Sequence, residues 1–404
     1  MLDRFVERLK AYDRQFLLFL LVSVFLGLGQ SVDGSTMNNF LKDEFNMMIL
    51  QRSALELPRE LPGFLVFIIV GSLYSLGDVR IAAIANMLAA IGMLLLGFIP
   101  PVYSFVVICI FIYSSGQHIY MPLYNSIAMN FANDGRLGRK LGQVSAANTA
   151  ALVFGSAVLF VIFRFIKVSY TVTFTCGAIA FFTASVLLLF MKSHKRERTR
   201  KRFVFKKEYK VFYLLSVLYG ARKQIFVTFG PWVLIDIYGQ KVATMTLLFF
   251  IISVASIAFK PFLGHMIDKI GEKKVLGMEA IALFFVCLGY STADLLLPFQ
   301  GAVILICACY VLDQLSSAVS MARATYLRKI AINEDEVSST LSLGISIDHI
   351  MSMTLPVIGG LVWYSSGSNG YKYVFLGGAF IAILNYIVTR YIRIENTVVD
   401  MQEA

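Results

Sequence analysis

Charged residues are scarce in this chain of 404 residues, and their scarcity excludes a soluble globular protein. Asp, Glu, Lys and Arg make up 15% of the sequence, whereas hydrophobic residues make up 58%. Soluble domains usually contain about 25% charged and about 45 to 50% apolar residues. The 36 Lys and Arg outnumber the 25 Asp and Glu, but they cluster in short loops between apolar runs. That pattern sets membrane topology and gives no reason to expect a nucleic-acid partner.

Cysteine is also sparse, and its placement excludes a disulfide framework. The five cysteines are odd in number and all lie inside apolar segments: Cys109, Cys176, Cys287, Cys307 and Cys309. Neither a disulfide scaffold nor a metal site is indicated. The basic first fifteen residues precede an apolar run without a small-residue cleavage site, so we expect the first helix to stay in the mature protein.

Long apolar runs account for most of the remaining sequence. Each is long enough to cross about 30 Å of hydrocarbon as a helix. Twelve helices are predicted at 16–40, 53–76, 81–99, 102–131, 141–165, 170–191, 210–237, 242–266, 274–294, 299–327, 337–365 and 371–392. Most basic residues between these runs fall in loops on the same side of the membrane as the termini. Lys42 and Arg52 are among the few assigned to the opposite, external side. The positive-inside rule therefore places both termini in the cytoplasm.

A polar run and a repeated loop divide the chain into halves. The longest polar run, at 192–202, predicts a basic cytoplasmic linker over 192–209 between bundles at 1–191 and 210–404. A glycine-punctuated loop at 264–274 has a degraded counterpart at 71–80, in which Ser75 stands where Asp268 stands. An equivalent loop in each half indicates a duplicated architecture.

The 264–274 loop has the spacing Gly-x-x-x-Asp-Lys-x-Gly-x-Lys-Lys and lies between two predicted spans. It resembles the signature loop of the major facilitator superfamily, the twelve-helix secondary transporters. The resemblance implies two six-helix bundles, alternating access, and a gating motif formed by Gly264, Asp268, Lys269, Gly271 and Lys273. It also implies that Asp268 holds the outward-facing state, and we expect Arg328 or Lys329 as its local partner. The segment 112–117 lacks the arginine of the family's proton-coupled drug exporters, and 146–155 lacks their Gly-Pro signature.

Polar residues in the N-terminal half give the first candidate site residues. Gln30 and Asp33 lie in helix one, and Asp33 is either functional or a packing residue beside glycines and hydroxyls. In helix four Gln117, Tyr120, Met121 and Tyr124 share one face, with His118 on the neighbouring stripe. Such a face offers aromatic surface and hydrogen bonds to a substrate. A histidine satisfied by a neighbouring helix is an equally good explanation for His118.

Helix two begins with a mixed-charge cluster that has two interpretations. Glu56 and Glu60 are four residues apart with Arg59 adjacent to both, so an ion pair inside the helix is available. Alternatively, the helix ends at Pro62 and these charges lie in the external mouth.

The C-terminal half has the most unusual charges. Arg222 and Lys223 come about 18 Å into helix seven, near the middle of the membrane. Since adjacent positions point about 100° apart, one cation faces a cavity while the other pairs with a carboxylate. Asp313 in helix ten, with Asp348 and His349 in helix eleven, lie at similar depth. This set suits a site in which protonation frees a cation to bind substrate, and it equally suits a static salt-bridge network.

These residues lead to a functional hypothesis. The leading one is a proton-coupled secondary transporter for a small organic anion or zwitterion. Its predicted substrate-binding residues are Arg222, Lys223, Gln117, His118, Tyr124 and Gln30, and its predicted coupling residues are Asp33, Asp313, Asp348 and His349. The alternative is a proton-driven exporter of amphipathic or cationic compounds that uses Asp33 and the aromatic faces. A non-transporting membrane receptor is a further hypothesis, although the low soluble content leaves no effector domain to support it. A membrane enzyme is least favoured, since the sequence order assembles no nucleophile, base and orienting group. We expect no cofactor or metal, H+ as the coupling ion, and a monomer surrounded by lipid in the cell membrane.

Overall fold

A computed structural model describes residues 14–131, 137–193, 205–331 and 334–393. Within these ranges the regular structure is helical, and none of the residues described forms a strand. The twelve long helices are α1 (Arg14–Asp43), α2 (Glu56–Ser72), α3 (Asp78–Leu96), α4 (Tyr103–Met129), α5 (Leu137–Val161), α6 (Tyr170–Leu189), α7 (Lys210–Trp232), α8 (Val242–Ile270), α9 (Glu272–Leu296), α10 (Phe299–Ser316, then Ser320–Ile330), α11 (Glu334–Ser365) and α12 (Gly370–Arg390). Each corresponds to one predicted span.

Length and composition support membrane insertion for most of these helices. Ten helical segments in the described ranges are long and apolar enough to cross a bilayer. The other two long helices differ for visible reasons: α2 has 17 residues, and α7 carries cations in its interior. Large apolar side chains such as Phe154, Ile304 and Phe380 are exposed on the helix surfaces, as expected where lipid replaces water. The chain is an all-α integral membrane protein.

Helix α2 continues through its proline, so the interpretation in which it ends at Pro62 is wrong. Proline removes one backbone hydrogen bond, but membrane helices tolerate it where neighbouring groups satisfy the freed carbonyls. The Ser114 hydroxyl of α4 donates to the backbone oxygen of Arg59, in the turn before Pro62. Pro62 frees the carbonyl of Pro58, so this bond to the next carbonyl lies beside the missing hydrogen bond and does not replace it.

The chain divides into two compact units. Unit 1 comprises Met1–Gln51, Leu57–Thr199 and Gln240–Val254, and unit 2 comprises Arg52–Glu56, Arg200–Gly239 and Ala255–Ala404. The first part of α8 therefore belongs to unit 1 and the rest to unit 2. The predicted boundary at the basic linker 192–209 stays a prediction, because residues 194–204 of that linker lie outside the described ranges.

Glycines allow close helix crossings within unit 1. A Cβ on Gly116 of α4 would lie 2.4 Å from the backbone oxygen of Ala85 in α3, and one on Gly92 of α3 would lie 2.4 Å from the backbone nitrogen of Tyr113. Small residues let membrane helices approach until their backbones touch. The same device brings α8 to α1, where the Phe249 ring packs against Gly34.

In unit 2 the crossing of α7 and α11 positions the polar groups described below. A Cβ on Gly220 would lie 2.7 Å from Oδ1 of Asp348 and 2.8 Å from its backbone oxygen. One turn of helix further along the contact, Gly344 of α11 packs against the Phe212 ring. Because neither glycine has a side chain, α7 and α11 can lie in direct contact beside Asp348.

Candidate functional site

Arg222 forms the centre of a buried charge cluster in unit 2. Its Nη1 donates to Oδ1 of Asp313 in α10 at 2.8 Å, and its Nη2 donates to Oε1 of Glu279 in α9 at 3.1 Å. All three side chains are buried. Gln314 also donates to the second carboxylate oxygen of Asp313, at 3.2 Å. One cation is therefore shared by two carboxylates from two different helices.

The neighbouring cation has a different environment. Nζ of Lys223 lies 3.5 Å from Oδ2 of Asp348, and 27% of the Lys223 side chain is exposed. Arg222, one position earlier, is almost fully buried. The helical rotation between adjacent positions thus turns Arg222 between the helices and Lys223 toward a more open region. His349, the residue after Asp348, is buried.

Sequence reasoning missed two members of this charged region, Glu279 and Arg323. Glu279 lies near the cytoplasmic end of the span predicted at 274–294, where acidic residues are common and do not indicate a site. In the structure its side chain is buried against Arg222. Arg323 lies in the second part of α10, with its guanidinium carbon 3.5 Å from the centroid of the Tyr219 ring. Both are charged residues in otherwise apolar runs, and that signal could have found them.

The predicted residues of the N-terminal half lie in unit 1 and contact one another only in part. Asn148 donates through Nδ2 to Oε1 of Gln30 at 3.2 Å. Nδ1 of His118 lies 2.9 Å from the hydroxyl oxygen of Ser114. Asp33 is half-buried and acts electrostatically on Tyr113. Their predicted roles in binding and coupling stay predictions.

The predicted aromatic face of α4 is divided in the structure. Tyr120 packs inward, whereas 63% of Met121 is exposed. The Tyr124 ring lies 5.8 Å from that of Phe19 and 5.8 Å from that of Tyr120, and Gln117 is half-buried on the same helix. Part of the face therefore belongs to the packing of unit 1.

The charges at the start of α2 include an ion pair that the sequence did not predict. Arg52, predicted to lie in an external loop, is buried in the short helix Ile49–Ala54 and forms an ion pair with Glu56 one turn later. Its guanidinium carbon lies 6.0 Å from the centroid of the Trp232 ring. The connection before α2 therefore folds as a short helix that turns the Arg52 side chain inward, and the external location of Arg52 stays a prediction.

The glycine-punctuated loop has an architectural role that its two copies share. Gly271 and Gly77 precede α9 and α3 with nearly the same backbone angles, φ 82° and 78°, in a region that favours glycine. The next residue is a buried acid in each copy: Asp78 accepts from the Ser126 hydroxyl near the end of α4, and Glu272 lies 2.8 Å from Nζ of Lys329 near the end of α10. The repeat seen in sequence therefore corresponds to a repeated local structure.

The loop predicted at 264–274 is helical on both sides of Gly271, because α8 continues to Ile270 and α9 begins at Glu272; the remaining motif residues therefore lie in the last turns of α8 and the first turn of α9. Lys273 donates to the backbone oxygens of Arg390 and Ile392 at the end of α12, at 2.8 and 3.3 Å. Asp268 and Lys269 are exposed. Lys329, expected beside Asp268, pairs with Glu272 instead, because Glu272 begins α9 where Lys329 can reach it. The gating role of Asp268 stays a prediction.

Comparison with known proteins gives matches to part of the sequence. The model of the Major Facilitator Superfamily matches residues 212–400. An uncharacterized MFS-type transporter of Methanocaldococcus jannaschii is 23% identical over 267 residues, which is 63% of this chain and 64% of that relative's length. The match thus spans less than two thirds of this archaeal relative.

Solved structures extend the likeness to the whole fold. The nucleoside transporter NupG superposes with a TM-score of 0.73 at 14% identity, covering 94% of this chain and 99% of its own. A D-xylose-proton symporter superposes with a TM-score of 0.66 at 17% identity, covering 93% of this chain and 97% of its own. The sequence match over residues 212–400, the relative and the shared fold all agree with the resemblance to the major facilitator superfamily that the signature motif indicated.

Proposed function

We propose that this chain is a secondary active transporter that works by alternating access and couples a small organic anion or zwitterion to protons. One observation carries the proposal: buried Arg222 is shared by two buried carboxylates, Asp313 and Glu279. Ionisable groups at this depth are costly, and they are retained chiefly where a pathway or relay uses them.

The charge balance of this cluster suits proton coupling. With both carboxylates ionised, Arg222, Asp313 and Glu279 together carry one negative charge. A proton on either carboxylate makes the cluster neutral while the other carboxylate still pairs with Arg222. Proton binding therefore changes the local charge by one unit without removing the partner of the arginine, which is what a coupling site requires.

Lys223 and Asp348 support the choice of substrate. Their contact is longer than those of Arg222, at 3.5 Å, and both side chains are partly exposed. Because the contact is long and both side chains are partly accessible, a substrate carboxylate or ammonium group can replace one partner of this pair. An anion or a zwitterion fits this pair better than an apolar cation does.

Transport by purified protein in proteoliposomes tests the coupling. The solute panel contains amino acids and carboxylates, with nucleosides and D-xylose added because NupG and the xylose symporter share the fold. An imposed pH gradient should drive accumulation of a substrate, and a protonophore should abolish it. Glu279→Gln and Asp313→Asn should lose this accumulation but keep exchange of labelled for unlabelled substrate.

A matched acid in the same unit provides the control. Asp294 pairs with Lys372 at 2.6 Å, and its side chain is partly exposed, so Asp294→Asn should keep pH-driven accumulation. Proton-driven accumulation that survives in both Glu279→Gln and Asp313→Asn contradicts the coupling assignment. Unchanged transport after Arg222→Ala and Lys223→Ala contradicts the site assignment.

The orientation of the chain belongs to the same proposal. Basic loops favour a cytoplasmic location for both termini in the cell membrane. A cysteine introduced for Lys269, which is exposed in the signature loop, should react with an impermeant maleimide only after the membrane is opened. Labelling of intact cells at this position contradicts the orientation.

A further inference from the structure

Unit 2 contains a cavity of about 170 Å³ between α7, α10 and α11. Its wall combines apolar side chains, including Phe212 and Leu341, with the hydroxyls of Ser216 and Ser320. Two side chains of opposite charge, Arg323 and Asp348, also line it. A cavity of about 150 Å³ accepts a molecule as large as benzene, so this one has room for a solute of about seven or eight heavy atoms.

Arg323 is a cation with unused binding capacity. Its guanidinium carbon lies 3.5 Å from the centroid of the Tyr219 ring, which holds the group in place, and the residue lines the cavity. Its Nε is buried without a hydrogen-bond partner, and within the described ranges no carboxylate forms an ion pair with it. An arginine edge binds a carboxylate through two parallel hydrogen bonds.

Asp348 supplies the opposite charge. Its Oδ2 faces Lys223 at 3.5 Å, while its Oδ1 is buried and has no hydrogen-bond partner among the residues described. Oδ1 packs against Gly220 of α7, but the Asp348 side chain is 17% exposed and lines the cavity, so the ammonium group of a ligand can pair with this carboxylate from the cavity side.

We propose that this cavity binds a small zwitterion of the amino-acid type, whose carboxylate pairs with Arg323 and whose ammonium pairs with Asp348. The apolar part of the ligand packs against Phe212 and Leu341. This assignment deepens the proposed function and rests on it for the link to transport, but binding itself is measured without a gradient.

Three probes with related skeletons separate the two charges. L-Valine carries both, isovalerate carries only the carboxylate, and isobutylamine carries only the ammonium. Titration calorimetry of the full-length protein in lipid nanodiscs should show L-valine binding at least tenfold more tightly than either partial probe. Arg323→Gln should weaken L-valine and isovalerate at least tenfold and leave isobutylamine unchanged. Asp348→Asn should weaken L-valine and isobutylamine and leave isovalerate unchanged.

This crossed pattern distinguishes ligand contacts from general damage, since a folding defect weakens all three probes together. Arg390→Gln is the matched control, because Arg390 is an exposed arginine over a tyrosine ring, Tyr386, in the same unit. The control should bind all three probes normally. No binding of L-valine, or equal weakening of all three probes in both variants, overturns the inference.

The transport assay separates this inference from the proposed function. If L-valine binds in the crossed pattern but no pH gradient drives its uptake, the cavity assignment stands and the coupling fails. If another solute is driven by protons and depends on Glu279 while L-valine does not bind, the coupling stands and the cavity assignment fails.

Discussion

Replacing Arg222 by glutamine removes the cation that Asp313 and Glu279 share. The arginine donates at 2.8 Å to Asp313 and at 3.1 Å to Glu279, and all three side chains are buried. After the substitution two carboxylates from α10 and α9 face a neutral amide. The folded state then contains two buried acids that must either repel each other or take up a proton.

The magnitude follows from these contacts. At separations of 2.8 and 3.1 Å and an effective dielectric constant of about 20, each attraction is worth about 5 to 6 kcal/mol. Desolvation of the three ions cancels most of this gain, so the intact cluster adds little net stability. Breaking such a cluster from one side costs about 3 to 5 kcal/mol, because the desolvation remains while the attraction is lost. For a chain of 404 residues we expect Arg222→Gln to lower the melting temperature by about 4 to 6 °C.

Thermal unfolding followed by tryptophan fluorescence in one detergent measures this shift. Lys223→Gln is the matched control, since Lys223 is the next residue of α7 and its ion pair is partly exposed at 3.5 Å. Because this contact is longer and partly exposed, the melting temperature of the control should fall by less than half as much as that of Arg222→Gln.

A rescue experiment tests the cause. Adding Asp313→Asn and Glu279→Gln to Arg222→Gln removes both acids and leaves three neutral groups able to hydrogen-bond. This triple variant should regain more than half of the lost melting temperature. The reasoning is refuted if Arg222→Gln melts no lower than Lys223→Gln, or if the triple variant melts no higher than the single one.

Two further substitutions test packing and gating. Gly220→Ala should lower the melting temperature by an amount that corresponds to about 1 to 3 kcal/mol, because its Cβ would lie 2.7 Å from Oδ1 of Asp348; Gly377→Ala, with no atom within 4 Å of its Cβ, should not. Asp268→Asn should leave the melting temperature unchanged, since Asp268 is exposed, but should slow uptake of the substrate; normal uptake contradicts the gating role.

The number and approximate positions of the helices could be predicted from this sequence, because a segment that crosses lipid must be a long apolar helix. A run of about 20 apolar residues needs no partner to be recognised as a span. The helix at Glu56–Ser72 shows where that rule ends. Its proline suggested a break, but the helix continues through Pro62, as membrane helices can where neighbouring groups compensate.

The sequence predicted which charged residues lie inside the membrane better than it predicted which of them form ion pairs with one another. The depth of Arg222 and Asp313 followed from counting residues along their helices, but the partnership with Glu279 depends on how α9 turns against α7. A single sequence contains no measure of that rotation. The ion pair of Arg52 with Glu56 was missed in the same way, since it depends on a short helix that propensity alone does not predict.

Protonation of the Arg222 cluster and anion binding at Arg323 should assist each other. The guanidinium carbons of Arg222 and Arg323 lie 5.3 and 3.5 Å from the Tyr219 centroid, which places the two charged groups within about 10 Å of each other. For a separation of about 10 Å between the added proton and the bound anion, and an effective dielectric constant of about 20, the proton favours the anion by about 1.5 kcal/mol, or about tenfold in affinity. By linkage the bound anion favours the proton equally.

Isovalerate affinity measured as a function of pH tests this coupling. Binding should tighten by about tenfold as the pH falls through the range in which the cluster takes up its proton. A variant with both Glu279→Gln and Asp313→Asn no longer takes up that proton, so its affinity should not follow the pH in this way. The cluster carries one excess negative charge, and Arg323 carries a positive charge without an ion-pair partner among the residues described. A proton therefore removes the excess negative charge at one site, and an anion supplies the missing partner at the other. Equal pH dependence in the unaltered protein and the double variant contradicts the coupling and leaves the cluster a structural ion pair.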